Sequence, residues 1–288
     1  MRVEISTAQD RGARKEQQDS FGLFDFSGEG GDESALLAVL ADGMGGMAMG
    51  RECSELAVSA FIKSFAQRKE GAAIAEALKE ALKSANSEVY HMADKAGVAE
   101  GAGSTLIAAV VQRHLLYWIS VGDSHIYLFS EGKMTLLNEE HNVGGRLKKL
   151  AESGKISEEE SKLYFGNMEA LTSFIGISEL SEIDSSQRPV MLKEKDVVLL
   201  CSDGLFKFVP EEEIVAILLK GGAEAAKELV KCAVDKKYPG QDNVTVTVIC
   251  YKGEPKTVYI PRASSEKEKR RESGGIYSTL FGKYGTGK

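Results

Sequence analysis

The sequence has few of the features that mark membrane or secreted proteins. Among its 288 residues the longest apolar runs, such as those at 35–41 and 197–201, are only as long as a strand and too short to span a membrane. The opening stretch MRVEISTAQDRGARKEQQD carries charges throughout and lacks the apolar core of a signal peptide. These absences predict a soluble, cytoplasmic protein with no membrane span.

Cysteine is also scarce, and no two cysteines form a CxxC pair. This spacing excludes zinc-ribbon and thioredoxin-type sites, and a chain with 43% hydrophobic residues can bury enough surface to fold without disulfides. We therefore expect buried, reduced thiols. The four cysteines are Cys53, Cys201, Cys232 and Cys250.

Acidic residues outnumber basic ones except near the C-terminus. The chain has 43 acidic and 36 basic residues, yet residues 252–288 hold nine Lys or Arg against four Glu, so residues 1–251 carry a net charge of −12. An acidic body argues against nucleic acid as a partner. We expect a catalytic domain over 1–251 and a disordered basic tail over 252–288.

The tail permits two interpretations. Its serines lie beside an RRES segment, where a phosphate would invert the local charge, so the tail could be a kinase-modified or partner-docking arm. It could equally be a solubilising end with no partner. The serines concerned are Ser264, Ser265, Ser273 and Ser278.

Hydrophobic periodicity predicts paired strands, then two helices, then further strands. The strands are expected at 1–9, 20–26, 34–41, 104–111, 115–121, 126–129, 134–137, 197–201 and 244–251. The helices are expected at 50–68, 72–96, 144–162, 210–220 and 223–236, with the SEEE run at 157–160 typical of a capped helix start. This order indicates an α+β sandwich with helices on its outer faces.

Four aspartates repeat one local design, a carboxylate beside a glycine at the end of an apolar strand. They are Asp42, Asp123, Asp203 and Asp242. A single such pair is an ordinary turn. Four of them at strand ends predict carboxylates that converge at one end of the sandwich.

Clustered carboxylates repel one another, and a hard divalent cation relieves that repulsion. Oxygen-only ligands suit Mg²⁺ or Mn²⁺, whereas zinc prefers the His and Cys ligands that these segments lack. Two such ions could activate a bridging water and hold the oxygens of a phosphoryl group during an in-line displacement. The pattern therefore indicates phosphate chemistry.

Six segments in this order carry a family resemblance. They are RKEQQD (14–19), ADGMGGMAMG (41–50), GSTLIAAVV (103–111), WISVGDSHIYLF (118–129), CSDGLFKFV (201–209) and GQDNVTVTVI (240–249). Together they resemble the metal-dependent protein serine/threonine phosphatases of the protein phosphatase 2C type, over about residues 1–251, with Met44 as in bacterial members. The stretch 141–161 resembles the flap of that family. The resemblance implies a four-layer αββα sandwich, two antiparallel sheets flanked by helices.

The resemblance also implies a cofactor and its ligands. Two Mn²⁺ or Mg²⁺ ions are expected, with Asp42 bridging both, the Gly43 carbonyl on one, and Asp203 and Asp242 on the other. Asp123 would share a third, weaker ion with Asp203.

The remaining site residues follow from the same motifs. Arg14 would bind the substrate phosphate, and Asp19 would orient metal-bound water, so Arg14, Asp19 and Asp42 are the implied catalytic residues. Met44 stands where many eukaryotic members have His and cannot donate a proton. His141, beside the flap, is interpreted as a solvated polar side chain rather than a proton donor or phosphate neighbour.

These observations predict a phosphatase of phosphoserine and phosphothreonine in proteins, acting by direct attack of a metal-bridging hydroxide without a phosphoenzyme. Its partners would be phosphoproteins, the substrates of a cognate serine/threonine kinase, and the enzyme would be a monomer. Two alternatives stay open: a catalytically inactive scaffold that binds phosphoproteins, and a phosphatase of small molecules.

Overall fold

The computed structural model describes residues 3–26, 35–44, 49–157, 159–160, 166–222 and 224–253. Its strands are β1 (Val3–Asp10), β2 (Asp19–Asp25), β3 (Ala35–Met44), β4 (Gly103–Ser104), β5 (Leu106–Gln112), β6 (Leu115–Val121), β7 (His125–Ser130), β8 (Lys133–Leu136), β9 (Asp184–Ser185), β10 (Val190–Met191), β11 (Val197–Cys201) and β12 (Val244–Tyr251). Its helices are α1 (Gly50–Ala66), α2 (Ile74–Lys95), α3 (Val143–Glu152), α4 (Asp203–Phe206), α5 (Glu211–Lys220) and α6 (Ala225–Asp235).

The strands form two antiparallel sheets. The first has the order β1-β12-β11-β7-β8, and the second has the order β10-β6-β5-β3-β2, with β4 paired to β3 and β9 paired to β6. In the second sheet β2 and β3 are in register from Asp19 opposite Asp42 to Asp25 opposite Leu36. The register places the N-terminal end of β2 beside the C-terminal end of β3.

Three apolar layers hold the sandwich together. One lies between the second sheet and helices α1 and α2, one lies between the first sheet and helices α4 to α6, and one lies between the two sheets. Strand β3 contributes to two of them, because Leu37 and Val39 face the helices while Leu36 and Leu40 face the other sheet. Burial on both faces explains why this antiparallel strand is apolar without alternation. The predicted α+β sandwich is confirmed.

The predicted helix over 144–162 is wrong in its length. Helix α3 ends at Glu152, and Gly154 follows with a φ of 68°. A left-handed glycine of this kind ends a helix, and the prediction continued through it. Within the SEEE run, Ser157 and Glu160 exchange the reciprocal hydrogen bonds of a capping box, which is typical of a helix start.

The four cysteines are all free, three of them buried and Cys232 partly exposed. None of the helices in the described part of the chain has the length and apolar character of a membrane span. The predicted tail over 252–288 lies outside the described residues except for Lys252 and Gly253.

Candidate active site

A cavity of about 340 Å³ opens at one end of the sandwich, where both sheets supply side chains. It is lined by Arg14, Gln18, Asp42, Gly43, Met44, Thr105, Asp123, Glu169, Ala170, Leu171, Asp203, Lys207, Asp242 and Asn243. All four aspartates singled out in the sequence lie on its wall, together with Arg14 and Gly43. Asp19 lies buried behind it.

Asp42 is held by the backbone of the second sheet. It lies inside β3 rather than after it, and its N–H donates to Thr105 Oγ1 over 2.9 Å, while its carbonyl accepts from the Thr105 N–H over 2.8 Å. The next residue, Gly43, approaches its neighbours closely, because a Cβ there would collide with the carbonyl oxygens of Gly50 and Gln18. A glycine at position 43 therefore allows this backbone to pack directly against the backbone at Gln18 and Gly50.

Asp203 begins the short helix α4, two residues after the end of β11. A Cβ on the following Gly204 would collide with the carbonyl oxygen of Asn243, so the glycine brings the 203–204 and 242–243 turns together. The preceding Ser202 donates its hydroxyl to Asp19 Oδ2 over 2.8 Å. This contact ties the buried Asp19 of the second sheet to the first sheet.

Asp242 and Arg14 form an ion pair at the cavity mouth, with Arg14 Nη2 2.6 Å from Asp242 Oδ2. The neighbouring Asn243 holds the loop that carries Arg14. Its amide group donates to the carbonyls of Arg11 (2.8 Å) and Glu16 (2.9 Å), and its Oδ1 accepts from the Gln18 N–H (2.7 Å). No sequence pattern indicated this role of Asn243.

Asp123 is buried in the turn that follows β6. The same wall holds Lys207, whose Nζ lies 2.9 Å from Asp203 Oδ2 and 3.3 Å from Glu169 Oε2. Neither Lys207 nor Glu169 was predicted, although Lys207 lies four residues after Asp203 and so occupies the same face of a helical turn.

Burial and mutual repulsion shift the carboxyl pKa values upward. Burial is the larger cause, and it raises the pKa of Asp19 and of Asp123 to about 7. The pKa of Asp42 rises well above its usual range, first through burial and then through repulsion by the other four carboxylates. Burial and Asp203 also raise the pKa of Asp242, against the opposing charge of Arg14. Such a cluster favours a bound cation, which would reverse these shifts.

The donor chemistry fits a hard divalent cation. Among the described residues Asp203 Oδ1 is buried without a hydrogen-bond partner, and the acidic residues on the cavity wall offer only oxygen ligands. In that same part of the chain no three Asp, Glu, His or Cys side chains already surround one point as a preformed metal cluster. One oxygen of Asp203 pairs with the Lys207 ammonium. One oxygen of Asp242 likewise pairs with the Arg14 guanidinium.

The interpretation of His141 as solvated is wrong. Its side chain is buried, and its Nδ1 accepts from the Gly122 N–H over 3.2 Å. It lines a second cavity of about 570 Å³, beside Arg146 and Asp184, whose wall carries both acidic and basic side chains. Met44 lines the aspartate cavity.

The chain matches the family model described as protein phosphatase 2C over residues 11–231. Among curated proteins it is similar to the serine/threonine phosphatase stp of Listeria innocua, with 31% identity over 256 residues, which cover 86% of this chain and 95% of that protein.

Two solved structures are similar over most of this chain. The serine/threonine phosphatase of S. agalactiae superposes with a TM-score of 0.73 at 25% identity, covering 87% of this chain and 100% of that one. The catalytic domain of the serine/threonine protein phosphatase PstP, in complex with two manganese ions, superposes with a TM-score of 0.65 at 29% identity, covering 86% and 97% of the two chains. Because the family model covers well over half of its length, the chain belongs to the protein phosphatase 2C family, as its motifs predicted.

Proposed function

We propose that the aspartate cavity hydrolyses phosphoserine and phosphothreonine in proteins with the help of two Mn²⁺ or Mg²⁺ ions. Membership of the family carries phosphoprotein phosphatase activity and metal dependence, in agreement with the predicted enzyme class. The observation that supports this chemistry best is the arrangement of Asp42, Asp203 and Asp242 on one cavity wall, with a buried Asp203 oxygen that lacks a hydrogen bond among the described residues.

The residues that would bind the two metal ions come from both sheets. Asp42 and the Gly43 carbonyl belong to β3, while Asp203 and Asp242 flank β11 and β12. When bound, two such ions activate water for attack on phosphorus and offset the charge that develops on the phosphate oxygens. Asp19, fixed by Ser202, orients the attacking water from behind Asp42.

Arg14 binds the substrate phosphate at the cavity mouth. Its side chain is 56% exposed, and one of its nitrogens pairs with Asp242. A guanidinium has five N–H donors in a planar fork, so it can hold Asp242 and still donate to phosphate oxygens. The ion pair thereby places the phosphate beside the metal ligands.

No side chain acts as a nucleophile in this mechanism. The attacking oxygen comes from water and displaces the serine or threonine alkoxide directly, so no phosphoenzyme forms. A covalent phosphorylated intermediate trapped by acid quenching would contradict it.

The finer features of this enzyme rest on the sequence. We place the catalytic domain at 1–251, and take the substrates to be products of a cognate serine/threonine kinase. The net charge of −12 on that domain favours protein rather than nucleic acid as the partner. Free thiols are typical of a reducing compartment, which supports a cytoplasmic location. The enzyme would act as a monomer.

The test is release of phosphate from a phosphothreonine peptide in Mn²⁺, in Mg²⁺ and in chelator. Turnover should need metal and should be lost in Asp203→Asn, while Asp94→Asn, an exposed position on α2, should match wild type. Binding of phosphopeptide without turnover would favour the inactive scaffold. Faster turnover of nucleotide or sugar phosphates than of several phosphopeptides would favour the small-molecule phosphatase.

A further inference from the structure

Lys207 places a positive charge inside the carboxylate cluster. It follows α4 directly, and its side chain is 30% exposed. Its Nζ lies 2.9 Å from Asp203 Oδ2 and 3.3 Å from Glu169 Oε2. The ammonium therefore bridges Asp203 and the segment 169–171, which also lines the cavity.

The two oxygens of Asp203 have different surroundings. Oδ2 accepts from Lys207, whereas Oδ1 is buried and has no hydrogen-bond partner among the described residues. Under the proposed function, Oδ1 is the Asp203 oxygen that remains available to the two metal ions. The other oxygen, Oδ2, already pairs with a cation that is part of the chain.

Asp123 shares the cavity wall with Asp203 and Lys207. It is 9% exposed, lines the same cavity, and is repelled by Asp203 while it is attracted by Lys207. One positive charge thus lies near both carboxylates that the family resemblance assigns to a third ion. A divalent ion added there would be repelled by Lys207 and would have to displace it from Asp203.

We propose that the Lys207 ammonium takes the position of the third metal ion between Asp203 and Asp123, so that this enzyme works with two metal ions and one built-in cation. The inference rests on the proposed function, because it presupposes that Asp42, Asp203 and Asp242 bind two metal ions. Unlike a weakly bound ion, the lysine cannot dissociate. The charge balance at Asp123 then no longer depends on the free metal concentration.

The built-in cation also fastens the segment that carries Glu169. Next to Glu169, the Ala170 carbonyl accepts from the Val143 N–H at the start of α3 over 3.0 Å. Lys207 thereby links Asp203 to the start of α3, through Glu169 and the neighbouring Ala170.

The experiment is calorimetric titration of Mn²⁺ into the metal-free full chain. Wild type should bind two ions. Lys207→Met, which keeps the length of the side chain without its charge, should bind a third, weaker ion, and the added mutation Asp123→Asn should abolish that third site. Lys207→Arg should restore two.

The control is Lys236→Met, which removes another lysine in an ion pair, with Glu213 at 2.6 Å, and neither of these two residues lines the aspartate cavity. It should bind two ions, and circular dichroism should show that all variants are folded. Three ions in wild type, or two in a folded Lys207→Met, would overturn the inference and leave the proposed function intact. No Mn²⁺ uptake by any variant would overturn the metal-dependent function itself.

Discussion

The Ser202 hydroxyl donates to Asp19 Oδ2 over 2.8 Å, and this hydrogen bond joins the two sheets directly behind the active site. Ser202 follows β11 of the first sheet, and Asp19 begins β2 of the second. Ser202 Oγ also accepts from the Thr245 N–H over 3.0 Å, so one hydroxyl satisfies a carboxylate and a backbone donor at once. This serine therefore adds a polar connection between the two sheets beside the apolar layer that separates them.

We expect Ser202→Ala to lower both stability and turnover. It leaves a buried carboxylate oxygen and a buried N–H unsatisfied, which costs about 2–4 kcal/mol of unfolding free energy. Because Asp19 loses its orientation, kcat should fall about 10-fold. Denaturant unfolding and steady-state kinetics measure the two effects. Ser120→Ala is the matched control, since Ser120 Oγ is buried but makes no hydrogen bond in the described structure.

Asn243→Ala should weaken substrate binding more than it slows the chemical step. Its amide makes three hydrogen bonds to the loop that carries Arg14, worth about 3 kcal/mol together. A loosened loop should raise KM for a phosphopeptide several-fold. Asn86→Ala is the control, because Asn86 fixes the backbone at Gly176 and Ile177 in a comparable way. An equal rise of KM in both variants would refute the role of Asn243.

Arg14→Ala should reduce kcat/KM by about 10- to 100-fold, the effect of losing a charge-assisted contact to phosphate. The same variant removes the partner of Asp242, so Mn²⁺ should bind at least as tightly as in wild type. Peptide kinetics together with Mn²⁺ titration separate these effects. Arg51→Ala, which breaks an exposed pair with Glu55 on α1, should change neither. Loss of Mn²⁺ binding in Arg14→Ala would contradict a phosphate-binding role.

Metal removal should destabilise the protein more at neutral pH than at acid pH. The pKa values of Asp19 and Asp123 are raised to about 7, so between about pH 4 and pH 7 the metal-free folded state holds protons that the unfolded chain releases. The contribution of these groups to stability therefore declines as pH rises through that window. A bound cation favours the charged carboxylates and removes the decline.

The measurement is the difference in Tm between Mn²⁺-loaded and chelated protein from pH 5 to pH 7.5. The difference should grow with pH, and at 100 times the Kd the metal should add about 2.7 kcal/mol. A difference that shrinks toward neutral pH would show that proton release from these carboxyls is not linked to metal binding.

The sequence by itself determined the layers and the family. Strands such as β11 and β12 are buried on both faces, so their apolar runs marked them to the residue, and the amphipathic periods of α1 and α2 marked helices on an outer face. The aspartate–glycine motifs could also be recognised in the sequence, because the residues of each motif lie close together in the chain. Two-residue strands such as β9 and β10 have no period to detect, and they were missed.

Only the tertiary structure decided which side chains meet. Asn243 lies 225 residues from Gln18, and Lys207 pairs with Glu169 across a cavity, so no local pattern could predict either contact. The sequence predicted a solvent-exposed His141 beside the flap, but in the fold its side chain is buried and accepts a hydrogen bond from the Gly122 N–H. Local periodicity encodes which face of an element is buried. The partners of a polar side chain depend instead on how distant elements pack. For this reason the position of Lys207 among the carboxylates could be recognised only in the folded chain.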